Sequence, residues 1–389
     1  MKSGRVAIIG AGLAGLNAGR NLNGSGHDVV VFESTDRLGG RVTSDLIDGY
    51  IYDRGFQVIN PAYSELRETG LVTRLKIRSL PKGICIVDDN EEITVGDPRT
   101  SLRFMAGALS PRSGSVKEKV AFLRYLVKET EDITFGAAMN ELGIFYDRVL
   151  APFLRGVFLQ SPDEVSNRMA RELIHWFVKG KPGLPEGGVR KLPELLGEGL
   201  TIRFNSRVES ISDRTIRSSS GSESFDAIIV AADPMRSADL LGVKAPNMTR
   251  CTTWYHSLPK GALSSDLLRT SPNSPIINSV FLSASAPDYA PKGRALLSTT
   301  SLTPLSDVEV KTHLRNLWRS DVESWDLVAR YEIEKALPEH LPGQELLQPL
   351  DLGNGTYVAG DWRSIPAQQG ALLTGRLVAA KVRADLQAR

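Results

Sequence analysis

A chain of 389 residues, 41% hydrophobic and 24% charged, has the makeup of an ordinary soluble globular protein with room for two domains. Its formal charge of +2 is too small to argue for nucleic acid or a strongly acidic partner, which leaves a small-molecule substrate as the expected partner. Two cysteines, Cys85 and Cys251, make neither a disulfide framework nor a C-x-x-C pair, and no metal site is expected.

The first strand begins within five residues of Met1, so no leader is expected, and the longest charge-free run, Thr270 to Pro287, is too rich in Ser, Pro and Asn to cross a bilayer. A cytoplasmic protein is expected. Val6 to Ile9 is a short apolar run suited to a buried parallel strand; a glycine turn follows, and Leu13 to Leu22 opens a helix. Gly10 allows a tight turn, Gly12 clears space at the helix N-terminus, and Gly15 lets the helix lie close on the strand. The free N–H groups and dipole of that helix favour a pyrophosphate. His27 to Glu33 is a second apolar strand, and its terminal carboxylate falls near the ~20-residue spacing at which a Rossmann-type unit binds a ribose. An acid there accepts from a free 2′-hydroxyl and repels a 2′-phosphate, which favours FAD or NAD over NADP.

The segment Ser34 to Arg41 then carries Gly39-Gly40 between Arg37 and Arg41, residues that can wrap a ligand and pair with phosphate oxygens. Asp48 to Ile59 alternates like a strand and breaks at Gly55. From Gly10 through Glu33 to Gly39-Gly40-Arg41 and Asp53-Arg-Gly-Phe-Gln57, the sequence resembles the flavin-containing amine oxidase and phytoene desaturase superfamily. The resemblance implies FAD, a non-covalent cofactor here because no cysteine lies near the C-terminus. It places the pyrophosphate at Gly10, Gly12, Leu13, Ala14 and Gly15, the ribose at Glu33, the phosphate and adenine side at Arg37, Gly40 and Arg41, and the flavin edge at Gly55, Phe56 and Gln57.

Beyond about Leu80 the pattern turns to short strands and amphipathic helices. Ser115 to Glu131 reads as a helix with Val116, Val120, Leu123 and Val127 on one side and Lys117, Lys119, Arg124 and Lys128 elsewhere. Such a helix suits either the surface of a soluble domain or peripheral membrane contact. Glu141 to Phe158 and Arg168 to Lys179 are further helical stretches. Gly183 to Leu196 resembles the Pro-x-Gly-Gly segment with which the superfamily returns to its flavin domain, and the same resemblance implies that the main chain of Val208 backs the adenine. Phe225 to Ala232 is a buried apolar strand. Strands are expected over Cys251–Ser257, Ile276–Leu282 and Ala295–Thr300, a helix over Ser306–Arg319, and Trp254, Tyr255 and Phe281 as pocket aromatics. At the C-terminus, Thr356 to Asp361 is a strand ending in Gly360-Asp361, and Gln368 to Ala388 a helix. The resemblance implies that Gly360 and Asp361 meet the ribityl and phosphate side, and that the helix turn with Gln369, Gly370 and Ala371 points at the flavin ring, beside Trp362.

The expected fold is α/β: a discontinuous Rossmann-type FAD-binding domain with a parallel sheet and helices (1–80, 195–235 and 350–389), and an α+β substrate domain with a mixed sheet and helices (81–194 and 236–349). The expected activity is FAD-dependent oxidoreduction, a dehydrogenase or desaturase-like hydride transfer from an apolar substrate to flavin N5. Two alternatives stay open: an amine or amino-acid oxidase using oxygen, with Trp254, Tyr255 or Trp362 as cage aromatics and Lys260 the only guess for a flavin-side lysine, and a non-catalytic prenyl or lipid-binding scaffold.

Overall fold

The computed structural model describes residues 4–88, 91–128 and 131–388. Its two large sheets are built from β1 (Arg5–Ile9), β2 (Asp28–Phe32), β3 (Gly83–Asp88), β4 (Glu91–Gly96), β5 (Thr201–Arg203), β6 (Ala227–Val230), β7 (Cys251–Pro259), β8 (Leu268–Thr270), β9 (Ile276–Phe281), β10 (Arg294–Ser301), β11 (Asp326–Ile333) and β12 (Thr356–Val358). The helices that shape the site are α1 (Leu13–Asn23), α2 (Val116–Val127), α3 (Ala151–Phe158), α4 (Asn167–Lys179) and α5 (Gln368–Gln387).

The first sheet has five parallel strands in the order β12-β6-β1-β2-β5, with Ile8 level with Ile229 on one side and Val31 on the other. Its strands are apolar without alternation because both faces are covered. Val6, Ile8, Val29 and Val31 join one core with residues of α1 and α5, while Ala7, Ile9, Val30 and Phe32 pack with Val208 and Ile216 of a three-stranded antiparallel meander. Helices α1 and α5 cross in close contact, since a Cβ on Gly375 would stand 2.4 Å from the Ala14 carbonyl oxygen. Asn17 Nδ2 donates to the Leu372 carbonyl oxygen at 2.7 Å across the same crossing.

The second sheet has seven strands in the order β11-β7-β10-β9-β8-β3-β4. It is mixed: β8 runs parallel to β3, and the other neighbours are antiparallel. All strands of the first sheet come from 1–80, 195–235 and 350–389, and all strands of the second from 81–194 and 236–349. Helices α2, α3 and α4 form a separate apolar cluster against the β3–β4 hairpin. The stretch expected to be helical over 141–158 is so: after a 3-10 turn (Asn140–Leu142) the helix runs on from Gly143 through a π segment (Tyr146–Leu150) into α3. Among the described residues no helix is long and apolar enough to cross a membrane, and no group of three or more His, Cys, Asp and Glu side chains could hold a metal ion.

Candidate active site

A cavity of about 1560 Å³ runs from the glycine turn after β1 to the helices α2, α3 and α4. It exceeds the ~300–1,000 Å³ of an ordinary ligand pocket and has room for more than one group.

At one end the turn is fixed by the backbone. Gly10 has φ of +106°, and a Cβ there would lie 2.5 Å from the Ala231 carbonyl oxygen, so only glycine fits. Gly12 precedes α1 and has no side-chain cap, no acid follows in the first turn, and a Cβ at Gly12 would meet no protein atom within 4 Å. The open space and unpaired N–H groups of α1 form a cradle for an anion. Gly39 N–H donates to the Ala11 carbonyl at 2.8 Å, which brings Gly40 against the same space. Leu13 and Ala14 line the cavity, whereas Gly15 sits behind it, its Cβ position 2.1 Å from the Gly10 carbonyl oxygen.

Glu33 is buried and lines the cavity. Its Oε2 accepts from Ala11 N–H at 2.9 Å and its Oε1 from both the N–H and hydroxyl of Thr35 at 2.9 Å. The carboxylate therefore holds the turn: Oε1 is filled by Thr35 and by Ser34 Oγ at 3.3 Å, while Oε2, with one donor, keeps a lone pair for an incoming hydroxyl. Arg41 reaches the other end of the chain: its Nη2 donates to Asp361 Oδ1 at 2.5 Å and its Nη1 to the Ala336 carbonyl at 2.9 Å. Arg37 lies on the wall with Nη1 3.5 Å from Asp45 Oδ1, and Arg54 and Tyr331 also bond Asp45. Gly55, Phe56 and Gln57 line the wall; Gln57 Nε2 donates to the Arg41 carbonyl at 2.8 Å, and Gly55 has φ of +86°.

Gly360, Asp361, Trp362 and Ala371 line the cavity, but Gln369 and Gly370 turn away from it. Gln369 bonds Ser64 and Glu65, and a Cβ on Gly370 would be 2.1 Å from the Ile365 carbonyl oxygen. Gln368, which sequence reasoning passed over, takes the wall position instead, with its Oε1 buried and unpaired within the protein. The helix start at Gln368 places that position there, one residue earlier than the resemblance implied. Val208 is not on the wall; it is buried in the meander, and its carbonyl oxygen accepts from Arg236 at 2.8 Å.

The expected pocket aromatics need correction. Trp254 is fully buried between sheet and helix, its indole N–H donating to Asp307 at 2.9 Å. Tyr255 is fully buried on the other sheet face, its hydroxyl donating to the Asp53 carbonyl at 2.6 Å. Phe281 is buried with Trp254, and Lys260 lies exposed in the turn after β7; neither lines the cavity. Besides Phe56, Tyr63, Tyr331 and Trp362, the helical region supplies four lining aromatics: Phe122, Phe145, Phe153 and Phe177, with Phe153 and Phe177 edge-to-face at 5.7 Å. The charged groups Lys82, Asp97 and Arg99 stand elsewhere on the wall, Asp97 paired to Arg99 at 2.8 Å. Cys251 also lines the cavity, and burial pushes its thiol up to about 12, so it stays protonated.

The cradle at Gly12 and Gly40, the carboxylate of Glu33 and the Arg41–Asp361 pair fit a dinucleotide laid along the end of the parallel sheet, with room beyond it for a second molecule.

Comparison with known proteins accords with this geometry. The chain matches a family model described as flavin containing amine oxidoreductase over residues 13–383. It is 30% identical to mouse lysine-specific histone demethylase 1B over 222 residues, 53% of this chain and 26% of that protein. Putrescine oxidase of Kocuria rosea is 43% identical over 77 residues, 19% of this chain and 16% of that protein, and probable polyamine oxidase 4 of Arabidopsis thaliana is 27% identical over 265 residues, 58% and 49%. The chain thus spans less than half the length of these relatives. Among solved structures, an oxidoreductase from Methanosarcina mazei superposes with a TM-score of 0.76 at 15% identity, covering 97% of this chain and 100% of that one. A reduced UDP-galactopyranose mutase superposes at 0.72 and 18% identity, covering 98% and 96%. The chain belongs to the flavin-containing amine oxidoreductase family, whose members are FAD-dependent oxidoreductases.

Proposed function

We propose that this chain uses non-covalent FAD to dehydrogenate a large apolar organic substrate. When bound, FAD supplies the hydride acceptor. The protein's share is to hold the cofactor at Gly12, Glu33, Arg41 and Asp361 and to present a substrate C–H bond beside it in a water-poor cavity. The observation that carries the reading is the wall contributed by α2, α3 and α4. Every residue those helices place on it is uncharged, and nearly all are aliphatic or aromatic, among them Leu126, Leu154, Ile174 and Phe177. A bare ammonium or carboxylate would lose its hydration there without a counter-charge.

A second reading, oxidation of an amine, is favoured by the sequence similarity to proteins named as putrescine and polyamine oxidases. Trp362 is the aromatic on the cavity wall beside the Gly360–Asp361 turn that could face a neutral amine.

Anaerobic titration separates the two. The purified flavoprotein is mixed with a detergent-dispersed isoprenoid polyene or with putrescine, and flavin absorbance is followed. Bleaching by the apolar compound and not by the diamine is expected; bleaching by the diamine alone overturns the proposal in favour of the second reading.

A further inference from the structure

Among the described residues, the segment from 102 to 128 presents an apolar face to solvent. Leu102 is 80%, Leu109 73%, Val116 71% and Val127 81% exposed. These side chains come from a helical turn (Leu102–Phe104), a short helix (Met105–Leu109) and α2. The two helices are tied into one surface, because Lys119 Nζ donates to the Ser110 carbonyl at 2.8 Å and Ser113 Oγ to the Gly107 carbonyl at 2.6 Å. Along α2, Val116, Val120, Leu123 and Val127 recur at intervals of three and four, while Tyr125 faces inward and is buried. Apolar residues scattered singly on a surface need no explanation, but a set repeated along one exposed helix face does.

Two further observations choose the occupant. The first is charge: Lys117, Arg124 and Lys128 are exposed on α2 or at its end, and Arg112, also exposed, is paired with Glu91 at 3.5 Å. The acid nearest on α2, Glu118, is committed to the helix cap, accepting from Ser115 N–H at 2.5 Å and from Ile144 N–H at 3.2 Å. The surface thus combines apolar side chains with a basic border, the pattern that fits an anionic bilayer interface. The second is continuity with the cavity: Leu123 is exposed on this face and also lines the cavity, and its neighbours Phe122 and Leu126 continue the wall inward.

We propose that this face docks peripherally on an anionic membrane, with the cavity mouth at Leu123 opening toward the acyl chains, so that an apolar substrate enters without crossing water. At ~1.5 Å per residue α2 is too short to span a bilayer and lies in its interface. The docking stands on the surface alone; the delivery of substrate through it rests on the apolar-substrate reading above.

The test is co-sedimentation of the flavoprotein with phosphatidylcholine vesicles, with and without phosphatidylglycerol, at low and high salt. The protein is expected to pellet with the anionic vesicles, less so at high salt and least with phosphatidylcholine alone. The double variant Leu109→Asp/Val127→Asp, at positions away from the cavity wall, is expected to bind at least ~10-fold more weakly with its flavin spectrum unchanged. The triple variant Lys117→Glu/Arg124→Glu/Lys128→Glu is expected to lose the preference for phosphatidylglycerol, and it keeps the test open should the first variant misfold. Absence of the wild-type protein from the anionic pellet overturns the proposal, as does wild-type binding by both variants. So does a dimer in solution that Leu109→Asp/Val127→Asp dissociates, which would assign the face to a second copy. If vesicle binding holds while apolar compounds fail to bleach the flavin, only the functional reading falls; if bleaching succeeds with dispersed substrate and vesicle binding fails, only the docking falls.

Discussion

Arg41 Nη2 lies 2.5 Å from Asp361 Oδ1, joining residues 320 positions apart on the cavity wall. Asp361 is 4% exposed and Arg41 is half-buried, so each is the other's main compensation for lost hydration. Asp361→Ala is expected to leave the guanidinium without its carboxylate partner, held only by the Ala336 carbonyl, to cost about 1–3 kcal/mol of stability and to lower FAD retention at least ~10-fold. Denaturant unfolding of the apoprotein and flavin occupancy after gel filtration measure the two effects. Full occupancy in Asp361→Ala would mean that this pair does not border the cofactor.

Gly12 and Gly15 share a motif and predict opposite phenotypes. The backbone at Gly12 is extended, with φ of −77° and ψ of 177°, and its Cβ position is empty. Gly12→Ala should therefore change apoprotein stability by only ~0.5 kcal/mol while obstructing the anion cradle and depleting FAD. Gly15→Ala drives a methyl to 2.1 Å from the Gly10 carbonyl oxygen and should destabilise the apoprotein itself by about 1–3 kcal/mol. Equal unfolding midpoints for the two variants would contradict this division.

Glu33 is bonded to Ala11 and Thr35 before any ligand arrives. Glu33→Gln keeps the shape and replaces one acceptor with a donor facing an N–H group; Glu33→Ala removes all four acceptor contacts, that of Ser34 Oγ included. The expected loss of apoprotein stability is greater for Ala, about 2–3 kcal/mol, than for Gln, with both variants impaired in FAD retention. Thermal melts with and without added FAD check the order.

Asp53 is buried and accepts from Ser44 Oγ at 2.6 Å, Val189 N–H at 3.1 Å and Tyr289 hydroxyl at 2.9 Å. Burial dominates and pushes its carboxyl up to about 6, against the lowering effect of these donors. The folded protein then holds a proton that the unfolded chain releases near pH 4, so this group's contribution to stability falls as pH rises from about 4 to about 6 and is level above that. Asp53→Asn should remove that component. The difference between wild type and variant in unfolding free energy should change by about 2 kcal/mol between those pH values. A constant difference across the range would contradict it.

The parts of the site that were legible in the sequence are those where backbone conformation and function coincide. A strand, a glycine turn and a helix must follow one another in a few residues, and the acid of Glu33 must end the next strand; each requirement leaves a residue type at a fixed spacing. The Gly360–Asp361 turn showed as the end of an apolar strand, and only the family resemblance gave it a role. Trp254 and Tyr255 were not: alternation shows that neighbours face opposite sides of β7, but nothing local reveals that one side packs under a helix and the other against Tyr52 and Tyr289. The apolar wall was hidden because Phe122, Phe153 and Phe177 look like ordinary core residues on their own helices, and only their convergence from three helices makes a cavity. Gln368 was missed because a one-residue shift at a helix start decides which side chain faces inward.

The most direct measurement is the visible absorption spectrum of the purified protein, before and after denaturation. The account predicts oxidised-flavin bands in the native protein and FAD released into solution on denaturation, as expected where Gly12, Glu33 and Arg41 hold the cofactor without a covalent bond. A colourless protein that also failed to take up added FAD would contradict it.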